Sequence, residues 1–358
     1  MKTILSVSTA SALILCVSTA SWAYRDYFTP EQKARLAEIE VVMVKVVALT
    51  DTGPADVGPI TQEVSARMEE LEYTVVTDAS EPHDVTLKVK CEQRKTWEGT
   101  VTAGGDADLP DAPARLWKGP ACQLTYRLGG MKVQWYKEVR TDYQDSIEAA
   151  KAAKAEDAGR YAMESLRLLL REYDFPVLLT AEWGQPDRLL KILDSYGSDE
   201  RKLRVIALLG EMQSDKAMPT LQRALQDKDL AKQATVAIGG IGRDGIPLLV
   251  DILKNSQDPE LQAAAAKGLG RVGGMAGDPS VVPPLLEMLD PPGGVDIRVQ
   301  IEVAWALGKI PDKTTIEPMK ALFAKKLMIR DPGNKQLQEL KEALNWSIKQ
   351  VEGCVEGC

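Results

Sequence analysis

The chain contains one histidine, His83, set in the turn-rich stretch Ser80-Glu81-Pro82-His83-Asp84. With a single imidazole, any His-based zinc site or Ser-His or Cys-His pair would have to form around this loop. A lone loop histidine beside an aspartate reads as a surface residue, so no catalytic residue is assigned and no metal or cofactor is expected. Gly268-Leu269-Gly270-Arg271-Val272-Gly273 matches the GxGxxG spacing, but it falls near the end of a helical pattern and not between a strand and a helix N-terminus, where a dinucleotide would need it. Asp106, Asp108 and Asp111 lack the spacing of a calcium loop and read as a solvated hairpin tip.

Thiols offer more chemistry. Of the five cysteines, Cys16 lies in an apolar run, Ala12-Leu13-Ile14-Leu15-Cys16-Val17, that follows Lys2 and precedes Ser21-Trp22-Ala23. This is the pattern of a secretory signal peptide over residues 1–23, and Leu15 before Cys16 argues against a lipid-modified cysteine. The mature chain then keeps Cys91, Cys122, Cys354 and Cys358, an even number in a compartment where disulfides persist. Cys354 and Cys358 close the duplicated tail over 351–358. They can form an internal disulfide, link two chains covalently or, with ligands from a second molecule, hold a soft metal, in that order of expectation. A thiol-redox role would require a depressed cysteine pKa.

Formal charge is −8 without a Lys/Arg cluster, which disfavours nucleic acid and anionic lipid as partners. No later segment reaches the roughly 18 apolar residues of a transmembrane helix. The expected location is therefore periplasmic or extracellular. After the signal, about 335 residues suffice for two cores.

Residues 24–178 read as an α/β domain. The run Val41 to Ala48 is a buried strand; a helix opens at Gly58-Pro59, and a second strand covers Tyr73–Thr77. From Val85 the pattern alternates strictly, as it does again at Cys122, Leu124, Tyr126 and Leu128 before Gly129-Gly130, the chemistry of a tight hairpin. A hairpin centred near Asp106 pairs residues whose numbers sum to 213, so Val85 faces Leu128, Leu87 faces Tyr126, Val89 faces Leu124 and Cys91 faces Cys122. That register predicts a Cys91–Cys122 disulfide. Ser146–Tyr173 reads as one long helix. The element order resembles that of small envelope domains such as those of curli-secretion and penicillin-binding-protein-activator lipoproteins, a likeness of fold that does not carry function.

Over 184–350 the chain repeats itself. Gly210, Gly239, Gly270 and Gly308 each follow an aliphatic residue, and twelve positions earlier stand Ser198, Asp227, Asp258 and Asp296, all preferred N-caps. A second helix opens near a proline after each glycine. The segments "QDPELQAAAAKGLGRVG" and "VDIRVQIEVAWALGKI" resemble HEAT repeats of the subtype found in phycobilisome lyases. The resemblance implies an α-solenoid, with Arg201 and the region around Asn345 as polar departures in the end units. The fold class is thus α+β multidomain: an N-terminal α/β sandwich with a mostly antiparallel sheet, then a C-terminal solenoid.

Stacked helix pairs leave an extended face that binds proteins or peptides. The outward candidates on it are Arg204, Lys232, Gln233, Gln262, Lys267, Arg298, Gln300 and Trp305. The expected function is a non-catalytic envelope scaffold, with cofactor or chromophore attachment, or thiol redox at the tail, as the alternatives.

Overall fold

The computed structural model describes residues 28–101, 112–129, 131–194 and 198–356. The signal segment 1–23, the hairpin tip with Asp106, Asp108 and Asp111, Gly130 and Cys358 lie outside the described residues. The chain divides into compact units at Leu189/Leu190.

In the first unit the elements run α1 (Pro30–Ala37), β1 (Val41–Thr50), β2 (Gly53–Pro54), α2 (Gly58–Glu69), β3 (Thr74–Val76), β4 (Val85–Val101), β5 (Ala112–Leu128), β6 (Met131–Arg140), α3 (Ser146–Ala152), α4 (Ala158–Glu172) and α5 (Phe175–Glu182). They form one mixed sheet in the order β2-β1-β4-β5-β6, with β3 also paired to β1. The β4–β5 and β5–β6 pairs are antiparallel, and β1 runs parallel to β3 and β4. Val85, Leu87, Val89 and Cys91 are fully buried while Thr86, Lys88, Lys90 and Glu92 are half-buried, as expected of a sheet with one packed face. The observed register pairs Val85 with Leu128 and Cys91 with Cys122, and Cys91 is disulfide-bonded to Cys122.

Two readings are corrected here. The expected helix over Ser146–Tyr173 is two helices. It breaks at Lys154, which adopts a left-handed φ of 56°, and Asp157 caps a fresh start by accepting from the Arg160 N–H. The unit also continues past residue 178 to Leu189. Trp183 packs edge-on against Tyr73 and Tyr126, and Gln185 donates to the carbonyls of Leu36 and Ile39 while accepting from the Tyr73 hydroxyl. Buried Arg67 meets Asp174 at 3.0 Å. Arg67 also pairs with Glu70, so truncating Asp174 to alanine removes one of the two carboxylates on a buried guanidinium and is expected to cost the unit about 1–3 kcal/mol; a loss under about 0.5 kcal/mol in urea unfolding would contradict that role.

From Leu190 the chain is helical. α6 (Pro186–Asp194) spans the boundary and is followed by α7 (Asp199–Glu211), α8 (Met218–Ala224), α9 (Lys228–Ile241), α10 (Ile246–Asn255), α11 (Pro259–Ala276), α12 (Val282–Leu289), α13 (Ile297–Gly308), α14 (Ile316–Leu327) and α15 (Lys335–Glu356). Ser198, Asp227, Asp258 and Asp296 are the N-caps of α7, α9, α11 and α13, each with a side chain accepting a backbone N–H. α7, α9, α11, α13 and α15 pack in succession, and α8, α10, α12 and α14 pack on their partners behind them.

Gly308 ends α13, Gly210 and Gly239 lie in the last turns of α7 and α9, and Gly270 lies within α11; all four are where neighbouring helices touch. A Cβ on Gly210 would lie 2.7 Å from the Ala237 Cα, one on Gly239 2.3 Å from the Gly268 Cα, and one on Gly270 2.6 Å from the Ala306 Cα. Each glycine thus meets the residue two positions before the next repeat's glycine. In the last repeat Gly308 meets Ser347, so Ser347, rather than the Asn345 region, marks the register of α15.

Candidate functional site

Because the repeats share one register, positions counted from the N-cap fall on the same face of successive helices. Those two, five, six and nine after each cap line a groove of about 590 Å³. α9 contributes Asp229, Lys232, Gln233 and Val236; α11 contributes Glu260, Ala263, Ala264 and Lys267; and α13 contributes Arg298, Ile301 and Glu302. Leu203 of α7 and Gln336 and Glu339 of α15 bound its ends. Short side chains at Ala263 and Ala264 leave the depth, and Leu203, Val236 and Ile301 supply an apolar lining between charged rims.

The charges at the helix starts neutralise one another. Glu260 takes Lys232 from one neighbouring helix and Arg298 from the other, each at 2.6 Å, and Arg298 also chelates its own cap, Asp296, at 2.9 Å. The bond from Lys232, then that from Arg298, holds the Glu260 carboxyl below its ordinary range. The side chain and backbone of Arg298 bring Asp296 down to about 2. A folded-state pKa below the unfolded one contributes stability above the unfolded value and loses it as pH falls. Asp296→Asn should therefore flatten the acid limb of the helical unit's stability between about pH 4 and pH 2, read by urea unfolding across that window; an unchanged limb would refute the assignment.

Four of the sequence candidates, Lys232, Gln233, Lys267 and Arg298, come together in this groove. Arg204, six after its cap, lies on the same register at the α7 end and pairs with Glu200 at 3.4 Å. Trp305, nine after its cap, packs on Trp346 of α15 with ring centroids 5.2 Å apart.

Gln262 and Gln300 do not join them. Four residues after their caps, they turn back to donate to the Leu253 and Leu289 carbonyls at 3.1 and 2.9 Å, which are left open at the ends of α10 and α12. Gln300 is only 5% exposed and also accepts from Lys326. These are corrections: a glutamine near a helix start reads as outward by periodicity, but the preceding helix end lies over this position. Gln300→Ala is expected to cost about 1–3 kcal/mol by orphaning a buried carbonyl, while Gln233→Ala should stay within about 0.5 kcal/mol. Equal losses in urea unfolding would remove the distinction.

Sequence reasoning missed Glu260, Trp346 and the alanine floor. Glu260 was readable as a first-turn acid but not as a bridge between two repeats. Trp346 was hidden because α15 begins about one turn early relative to its neighbours.

The remaining chemistry-bearing residues sit elsewhere. The His83 ring nitrogens engage the Glu81 carbonyl and the Thr86 hydroxyl. Gly268, Gly270 and Gly273 are packing positions inside α11, well past its own N-terminus. Cys354 lies half-buried in α15. Among the described residues, no cluster of three or more His, Cys, Asp or Glu could hold a metal, and no helix is long and apolar enough to cross a membrane.

Two overlapping stretches, residues 227–295 and 246–327, match the family model described as HEAT repeats. Comparison with curated proteins yields no match for the chain. Residues 227–327 are thus HEAT repeats within a solenoid-like run of helices, an architecture associated with protein interaction.

Proposed function

We propose that this protein is a non-catalytic scaffold of the bacterial cell envelope, exported by its first 23 residues, that holds a segment of a protein partner in the groove of its helical repeats. The observation that carries this reading is the groove's construction. The same four register positions of α9 and α11, and three of them in α13, supply its lining, so the surface is produced by the repeat itself and runs across several units. Small apolar residues beneath charged rims suit a peptide backbone with mixed side chains better than a small polar substrate. Export is supported by the signal pattern and by the Cys91–Cys122 bond, which belongs with an oxidising compartment.

Site-specific photo-crosslinking in a bacterial host tests the reading. With benzoylphenylalanine in place of Lys267, envelope proteins should be captured. The same group in place of Gln222, an exposed residue of the second helix layer, should capture few. Equal capture at both positions, or capture of cytoplasmic proteins only, would overturn it. The tail offers a second mode of assembly: if Cys358 links two chains, the purified protein should run as a dimer that reductant and Cys358→Ser each abolish, whereas a monomer on a non-reducing gel would count against it.

A further inference from the structure

At the starts of the groove helices Lys232 and Arg298 are each paired with a carboxylate, but toward the C-terminal ends the arrangement changes. Lys267 and Arg271 stand one turn apart on α11. On neighbouring α13, Trp305 and Lys309 stand one turn apart at the equivalent positions. Lys267, Arg271 and Lys309 have no ion-pair partner among the described residues. Arg271 reaches only the Gly210 carbonyl at 3.4 Å and the Met275 sulfur at 3.5 Å. Glu211 attracts Arg271, and Glu302 attracts Lys309, only at longer range.

This grouping is unfavourable as it stands. Loss of hydration lowers the Lys309 pKa, and the nearby charges of Lys267 and Arg271 add to that against the pull of Glu302. Loss of hydration likewise lowers that of Arg271. The carbonyls at the end of α13 ease the charge of Lys309. They do nothing for Lys267 and Arg271, because α11 continues to Ala276. In a chain of net charge −8, three adjacent cations without counter-ions are a local exception. Beside them the Trp305–Trp346 pair leaves Trp346 39% exposed, where an aromatic anchor carries binding energy.

We propose that Lys267, Arg271 and Lys309, with the Trp305–Trp346 pair, are the recognition end of the groove, and that they take a peptide segment carrying clustered carboxylates beside an aromatic or aliphatic residue. This rests on the groove being the docking face and adds the chemistry of what docks there. The carboxylates supply the missing counter-ions, the apolar residue covers the indoles, and the groove shape accommodates a chain where a flat anionic surface could not enter.

The test uses the full chain panned against a phage library of random heptapeptides, followed by titration with the selected peptides as synthetic probes. Selected sequences should be rich in Asp and Glu next to an aromatic or aliphatic residue. Lys267→Glu, Lys309→Glu and Trp305→Ala should each weaken binding on the order of tenfold, and Gln222→Glu should change it by less than about twofold. Lys267→Gln and Lys309→Gln remove charge without reversing it and provide the reading if a reversal disturbs folding. Failure to select peptides, selection without acidic enrichment, equal loss with Gln222→Glu, or preference for phosphatidylglycerol vesicles or single-stranded DNA over peptides would overturn the inference. Should Lys267 still crosslink envelope proteins in that event, the groove would remain the docking face and only the acidic preference would fall.

Discussion

Gly239→Ala is expected to destabilise the helical unit by about 2–3 kcal/mol, even though alanine is the better helix former. The new methyl would lie 2.3 Å from the Gly268 Cα and 2.6 Å from its carbonyl oxygen. Both obstructing atoms are backbone, so no rotamer relieves the contact and α9 and α11 must separate. Two comparisons isolate the cause. At Gly268 a methyl would meet the Leu249 side chain at 3.1 Å, which can move, so the loss should be smaller. At Gly353 in α15 nothing lies within 4 Å, so alanine should be neutral or add up to about 1 kcal/mol through helix propensity. Urea unfolding of the three variants checks the order. If Gly239→Ala matched the wild type, close helix approach would not be the reason for the glycine. Separation of the helices should also loosen the Lys232–Glu260 bridge, linking the packing defect to the groove.

Removing the disulfide is the second large effect. Cys91 and Cys122 are 31 residues apart in sequence, and bridging a loop of that size contributes about 3–4 kcal/mol on a chain-entropy view. The double variant Cys91→Ala/Cys122→Ala should therefore lower the unfolding midpoint of the sheet unit strongly while leaving the helical unit's transition in place. Both sulfurs are fully buried, so reductant alone should act slowly until the strands open. Equal stability of the double variant and the oxidised protein would show that strand pairing and core burial already suffice.

Part of the sheet was legible because a strand pair has little freedom once its apolar face is chosen. A slip of one residue would have turned Val85, Leu87 and Val89 to solvent, so alternation and the two thiols specified the observed register. The parallel β1–β4 pairing was not legible, since the run over Val41 to Ala48 states burial and not which neighbour provides it. The same limit hid Trp183 and Gln185, which join the first unit through contacts with Tyr73, Tyr126, Leu36 and Ile39, all far away in sequence. In the repeats, cap spacing located the helices and their shared face.

The sequence by itself determined the unit of construction: an N-cap, an apolar stripe and a glycine twelve residues on, because helix period and capping act within a few residues of one another. Only tertiary structure decided what those positions do. Gln262 and Gln300 became caps for a preceding helix, Glu260 became a bridge between two cations, and Trp346 came to rest on Trp305. Each of these outcomes depends on the offset between neighbouring helices, which is set where Gly239 meets Gly268 and Gly308 meets Ser347 and is written in no single repeat.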